Sequence, residues 1–543
     1  MTGTAVALSG LPAETGAASN PSGTKKPQLS PRTAYWLLAL WGLGVVVVYT
    51  MAGADRYVQY ESYSFDLGVY TQAVSSLAHF HLATVPLDLK SWHSFFGDHF
   101  SPVLVLVVPF FWAYQSPVTL IAVQGLVIAL SMVPVYKFAQ RRWGAGPALA
   151  MAMAYSMSWG VQSLALFDFH PDVFAMLLIA LAVERADAGA WGSSVASTLA
   201  LLAVKEDLAL VVLVMGVLYA LYWHHRRLGA VVSTIGAAAL VVITQVVVPA
   251  FATGSANYVY FAKFYSDLGK SMPSAAASVL TNPLHAVKLL FSPVEKVRTL
   301  YSLLVAWWFL PLFSPLFLLA VPLLLERFWS VDHLQWVRSY QYNGPVMPIL
   351  ALGYIDTVER VRRALRAWDV RRRARQALHQ EPGAGLATAT GAPALWQALP
   401  AVAAALAVFA SLFMAPQRWV PLRLVQAAET SNLAPNPIAY TCDKVVSRVP
   451  MGVSVEASDP VAPHLVVGRT VWLPGQDPSP PQYLVVASYY GSGTQSRKAM
   501  SYWKAEVGAI EPGLALVPWL SWARAHGYRE IYSYGYCQLW KAP

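Results

Sequence analysis

The chain is 543 residues long, 56% hydrophobic and only 12% charged, whereas soluble globular domains carry about 25% charged residues. That deficit excludes an ordinary soluble enzyme and makes the lipid bilayer the solvent for most of the fold. Lysine and arginine outnumber acidic residues by 38 to 28, but they sit in short clusters beside apolar stretches rather than along one face, so the surplus reads as membrane topology and excludes nucleic acid as a partner.

In chain order, residues 1–32 are rich in Ala, Gly, Ser, Pro and Thr and include Lys25-Lys26. They show no apolar core followed by a small-residue cleavage site and read as a disordered cytoplasmic tail. Apolar stretches able to cross about 30 Å of hydrocarbon follow at 33–52, 117–139, 228–250, 300–325 and 399–415, with shorter ones between them. Together they predict a mainly α, polytopic transmembrane helical bundle of roughly ten or eleven spans.

Basic clusters lie at Lys25 to Arg32, Lys137 to Arg142, His224 to Arg227 and Arg360 to Arg375, the last with eight arginines. The excess of Lys and Arg in inner loops places all four on the cytoplasmic side. One topology then follows: 53–100, 162–171, the turn at Lys205 to Asp207, 251–298, 327–343 and everything after 416 lie outside. It predicts a transmembrane domain at 33–375 with its outer loop at 53–100, a cytoplasmic linker at 376–398, a last transmembrane helix at 399–415 and an extracytoplasmic domain at 416–543, in a multi-pass plasma-membrane protein. The segment 101–114 is short for a span and is expected to lie on or dip into the outer face. Proline breaks a helix, so 301–312 and 315–327 are expected as two short antiparallel pieces joined at Phe313-Ser314-Pro315.

From about residue 430 the hydrophobic density falls, and strand-like runs at Gly452 to Val455, Thr470 to Leu473 and Tyr483 to Ala487, with a helix at 515–526, predict a small α/β domain. Cys442 and Cys537, the only cysteines, both fall in this outer region, where a disulfide between them is expected.

The residues that could carry chemistry lie on the same outer side. The first outer loop holds Ser64-Phe65-Asp66-Leu67-Gly68-Val69-Tyr70, then His93, then Gly97-Asp98-His99-Phe100-Ser101-Pro102. Asp66 and Tyr70 share a face if this piece is helical. A carboxylate there can deprotonate an acceptor hydroxyl, or simply cap a helix. The turn Phe167-Asp168-Phe169-His170-Pro171-Asp172 either binds a phosphate or metal or lets Asp172 cap the next helix. Lys205-Glu206-Asp207 interrupts an apolar stretch, and charges at membrane depth are costly unless they pair or line a wet cavity. Arg338-Ser339-Tyr340-Gln341-Tyr342-Asn343 could clamp a lipid phosphate or stack on a sugar, although interfacial tyrosines are also the usual aromatic belt. No P-loop, dinucleotide turn, HExxH or nucleophile elbow stands in a fitting context.

FDLGVYTQA, GDHFSPVL, FDFHPD, KEDLAL, the YQYNGPVMP piece and the late Ala457-Ser458-Asp459-Pro460-Val461-Ala462-Pro463-His464 together resemble domain-of-unknown-function family 2079, predicted polytopic membrane proteins, from about residue 35 to the end of the tail domain. That family looks like a branch of the GT-C glycosyltransferases, which take a sugar from a polyprenyl-phosphate carrier and use an acid in the first outer loop as base. The resemblance implies Asp66 as the base, and Asp98 and His99 as contacts to the acceptor or to an optional divalent cation (Mg, Mn or Ca). It implies Tyr70, His170, Asp172, Lys205, Glu206, Arg338 and Tyr342 around the donor phosphate and sugar. Tyr340-Gln341-Tyr342 stands where a His-Tyr-His-Tyr type run is expected, which argues against metal binding by this loop. The implied partners are a lipid-linked sugar donor, membrane lipid and an envelope glycan, lipid or protein acceptor. Two other classes fit the bare pattern. One is a transporter or flippase gated by Lys205 and Glu206, which would call for inverted repeats; the other is a non-catalytic envelope-binding protein.

Overall fold

The computed structural model describes residues 29–88, 94–252, 263–378, 395–414, 416, 436–475, 477, 479–487 and 516–543. Residues 1–28 of the expected tail, His93, most of the expected linker (379–394) and 417–435 lie outside the described residues.

Among the described residues four helices are long and apolar enough to cross a membrane: Pro31–Val58, Pro117–Trp143, Arg226–Phe251 and Leu395–Phe413. The first two begin with the same device, a serine (Ser30, Ser116) whose side chain accepts a first-turn N–H, followed by proline, whose missing N–H costs a helix start nothing. Pro117–Trp143 is the hub, packing against Pro31–Val58, Ala145–Met157 and Asp172–Asp187. Shorter helices at Trp159–Ala165, Trp191–Ala200 and Ala209–Leu221 complete this part of the bundle.

Two segments depart from the sequence reading. The stretch 251–298, expected as a loop, contains helices Met272–Thr281 and Pro283–Phe291 and the start of Val294–Val305. Ser271 and Asn282 cap the first two, and a proline stands within one residue of each start, so each piece is locally encoded although none is long enough to be seen as a span. The expected hairpin at 301–327 turns earlier than proline suggests. The chain leaves the helix at Val305, passes Trp308 and Phe309 at φ +55° and +58°, and resumes as two 3-10 turns, Leu310–Phe313 and Pro315–Leu319, the second running into Ala320–Trp329. The arginine-rich run at 360–375 is the second half of one 33-residue helix, Val346–Leu378. Residues 101–114 form a 3-10 turn, Pro102–Val107, and one short helix, Val108–Ala113.

The bundle has two chemically different ends. Asp172 and Asp187 bound one helix, which at 1.5 Å per residue separates them by about 22 Å. At the Asp187 end, Arg141 and Arg142 pair with Glu184 and Asp187, and Arg362 donates to the Arg142 carbonyl at 2.7 Å. At the Asp172 end lie the acidic and histidine motifs.

The C-terminal part is a five-stranded mixed sheet of order β2-β1-β3-β5-β4, with β1 Ser454–Ala457, β2 Thr470–Trp472, β3 Tyr483–Ala487, β4 Arg529–Tyr534 and β5 Cys537–Lys541. β1 is parallel to both neighbours, and β5 is antiparallel to β3 and β4. Helices Pro437–Val446 and Leu516–Ala525 accompany it, and a Cys442–Cys537 disulfide, Cα–Cα 5.1 Å, ties the first helix to β5.

Candidate active site

Asp66 sits in a π-helical turn, Ser64–Gly68, that leads into the helix Val69–Ala78; such turns recur at functional sites. The first N–H groups of a helix have no partner within it. Here two distant carboxylates supply them. Asp168 Oδ2 accepts from Tyr63 N at 2.8 Å, and Asp459 Oδ1 accepts from Ser64 N at 2.8 Å.

Asp66 Oδ1 meets His170 Nε2 at 3.0 Å, and His170 Nδ1 meets the Asp168 carbonyl at 3.0 Å. A carboxylate and a carbonyl are both acceptors, so this pair of contacts favours the doubly protonated ring. Burial opposes that charge, and the hydrogen bond and charge of Asp66 outweigh it, holding His170 above its ordinary value. The ring is fixed by Phe167, stacked at 5.4 Å, and by Tyr70, edge-on at 5.2 Å. Its backbone is fixed by Gln124 of the hub helix, which accepts from His170 N at 3.0 Å. The Asp66 side chain is 22% exposed against 4% for His170. Among the described residues Asp66 Oδ2 has no recorded hydrogen bond, so one carboxylate oxygen is held and the other is presented.

Beside this pair lies a cavity of about 200 Å³, lined by Asp172, His99, Lys205, Glu206, Asp207, Tyr265, Glu326, Arg327 and Tyr342, among others. Asp172, two residues beyond His170, is in that lining, whereas Asp66 and His170 themselves are not. Lys205 Nζ is 3.4 Å from Asp207 Oδ2. Glu206 is buried, with Oε1 2.9 Å from His99 Nδ1 and Oε2 accepting from Phe100 N at 3.1 Å. Burial opposes a charge on His99, but Asp98 and Glu206 outweigh it and raise its pKa to about 9.

Arg327 is 3% exposed. Its Nε donates to the Gln335 carbonyl and its Nη2 to Val337 O at 2.9 Å, while Nη1, buried at the cavity, has no partner among the described residues. A guanidinium pinned on two donors with a third held in reserve suits an anionic oxygen.

Of the residues singled out in the sequence, Asp66, Tyr70, Asp98, His99, His170, Asp172, Lys205, Glu206 and Tyr342 come together in this region. Tyr70 is buried edge-on against Phe95, Phe169 and His170 rather than lining the cavity. Arg338 lies outside the lining, with Nη1 3.3 Å from Ser302 Oγ. Arg327 and Glu326 were not singled out, although this charged pair ends an apolar stretch just as Lys205-Glu206 interrupts one. Asp168 and Asp459 stood inside quoted motifs without a role. Among the described residues no three or more His, Cys, Asp or Glu side chains group as a metal ligand set. Asp98 and His99, the pair considered for an optional divalent cation, come with Glu206 already hydrogen-bonded to the imidazole.

The described residues thus form a mainly helical bundle with apolar spans, a charged cavity at one end and a small mixed sheet beside it. The signature of the family described as "Predicted membrane protein (DUF2079)" matches residues 56–477, and the chain belongs to that family. No curated protein matches the sequence. The crystal structure of ArnT from Cupriavidus metallidurans bound to undecaprenyl phosphate is similar over 94% of this chain and 98% of that one, with a TM-score of 0.52 at 13% identity, which shows a shared fold. The apo form of the same ArnT aligns over 94% and 98% at TM-score 0.49 and 12% identity. An Archaeoglobus fulgidus oligosaccharyltransferase tethered to an acceptor peptide aligns over 84% and 71% at TM-score 0.38 and 11% identity.

Proposed function

We propose that the protein is an inverting membrane glycosyltransferase that moves a sugar from a polyprenyl-phosphate-linked donor to a hydroxyl of an envelope glycan, lipid or protein on the outer face of the plasma membrane. The observation that carries this reading is the half-presented Asp66 carboxylate, locked by His170, two residues along the chain from Asp172 in the lining of a cavity also walled by Lys205 and Arg327. The fold adds support, since the solved ArnT that shares it binds undecaprenyl phosphate. The cavity, about 200 Å³, is below the roughly 300–1,000 Å³ of sites that enclose drug-sized ligands, so it suits a sugar-phosphate head with the lipid chain left among the helices.

In the step proposed, the acceptor oxygen forms a bond to the anomeric carbon from the face opposite the phosphate. The bond from that carbon to the phosphate oxygen breaks, and its electron pair leaves with the polyprenyl phosphate. Asp66 Oδ2 takes the acceptor proton. Lys205 and the free Nη1 of Arg327 stabilise the charge on the departing phosphate, and a donor held in place before the reaction does so without reorganisation. The N-terminus is then cytoplasmic and the C-terminal sheet extracytoplasmic.

The test is transfer of labelled sugar from a panel of polyprenyl-phosphate sugars by the purified protein and by Asp66→Asn. Wild type should transfer from at least one donor, and the variant should lose roughly 10²- to 10⁴-fold in kcat, the usual scale for a general base. Absence of transfer from every donor, together with lipid movement in liposomes, would replace the enzyme with a transporter.

A further inference from the structure

We infer that Asp459, in the C-terminal sheet domain, is a positioning residue for Asp66: it holds the backbone of the turn that carries the base, so the site is complete only when that domain is docked. The inference rests on the reading of Asp66 as the base.

The contact spans 395 residues of sequence and is doubled. Ser64 N donates to Asp459 Oδ1 at 2.8 Å, and Ser64 Oγ donates to the Asp459 carbonyl at 2.5 Å. Ser64 is two residues before Asp66, at the first position of the π turn, so its N–H is one that the helix itself cannot satisfy. A carboxylate from a remote segment caps it instead. Without that cap the turn is free to slide toward ordinary helical register, and the Asp66 to His170 contact moves with it.

Neighbouring contacts make this a docking face rather than a single bond. The His464 ring is stacked between Tyr57 and Tyr60, with centroids at 4.1 and 3.6 Å and planes within 9°. Tyr60 Oη donates to Asp443 Oδ1 at 2.8 Å, and Gln72 Nε2 donates to Val471 O at 3.0 Å. A Cβ at Gly68 would stand 3.7 Å from Pro463. Asp459 Oδ2 is buried without a hydrogen-bond partner among the described residues, so the side chain uses a single oxygen on the turn. That is what a peg requires, and an amide oxygen could do the same.

Full-length wild type, Asp459→Ala and Asp459→Asn would be compared by two readouts. The first is hydrogen exchange: amides of residues 60–68 should lose protection in Asp459→Ala and keep it in Asp459→Asn, while β3 and β5 stay protected in both. The second is transfer from the donor panel: Asp459→Ala should lose kcat on the order of 100-fold, the scale of an ångström of misplacement, with donor KM unchanged because Asp459 does not line the cavity. Asp459→Asn should restore most of it. Unchanged exchange at 60–68 and unchanged kcat in Asp459→Ala would overturn the inference. Loss of protection in a protein whose wild type transfers from no donor would keep the peg and discard the enzyme.

Discussion

Two imidazoles at this site have raised pKa values for the same reason, carboxylates that outweigh the cost of burial. The consequence of His99 can be measured. Its folded pKa of about 9 lies above the roughly 6.5 of a free histidine. A group raised on folding contributes stability that is complete below its unfolded pKa and lost as pH climbs through the folded value. Wild type should therefore unfold at a higher temperature than His99→Gln near about pH 6, and the gap should narrow toward about pH 10. A gap independent of pH would mean that His99 is neutral throughout. The chemistry-bearing residue types were readable as a sequence: Asp66, His170, Lys205 and Glu206 announce themselves as polar groups in apolar surroundings. What could not be read is which carboxylates serve the backbone. Asp168 and Asp459 look like any loop acid until their partners, Tyr63 and Ser64, are seen across the fold.

At the level of elements, the tightest joint is between Ala209–Leu221 and Arg226–Val242. A Cβ on Gly216 would lie 2.4 Å from Ser233 N, and one on Gly236 would lie 2.5 Å from Leu213 N. Both obstacles are backbone and cannot swing aside. Small residues let helix backbones approach where the lipid gives no hydrophobic drive to associate. Gly216→Ala should cost about 1–3 kcal/mol as overpacking, seen as a lower unfolding temperature in detergent. Gly192→Ala, where nothing lies within 4 Å of the added carbon, should be neutral or stabilising by up to about 1 kcal/mol through helix propensity. Equal effects at the two positions would remove the close-packing argument. Uninterrupted apolar length found four long helices, but it gave 300–325 as one stretch where the chain breaks and did not mark the 33-residue helix Val346–Leu378. It could not find Met272–Thr281 or Pro283–Phe291, which are too short to register as spans, nor the break at Trp308 and Phe309, where two aromatics adopt positive φ just before Pro311.

At the scale of the whole molecule, the arginine-lined end and the histidine-lined end are the two poles of the proposed topology. An impermeant maleimide should label Met451→Cys, 69% exposed in the sheet domain, in intact cells and leave Arg363→Cys, with a side chain 64% exposed on the long helix, unlabelled. Inverted vesicles should reverse the pattern, and labelling of both from one side would refute the orientation. The Cys442–Cys537 bond closes a loop across a sequence separation of 95 residues, for which chain entropy alone predicts about 4–5 kcal/mol. Reduction should lower the unfolding temperature of the sheet domain without melting the bundle. Strands β1 to β3 were legible from their apolar runs, whereas β4, exposed along most of its length, gave no hydrophobic signal.

The placement of Asp459 also sets an order in time. Ser64 is made early and its acceptor follows 395 residues later, which at about 5–20 residues per second is a delay on the order of 20 to 80 s. During that interval the membrane helices can insert and pack, yet the turn that presents the base still lacks its peg. A nascent chain, or one truncated before residue 459, would thus be chemically silent, and competence would arrive only with the sheet domain.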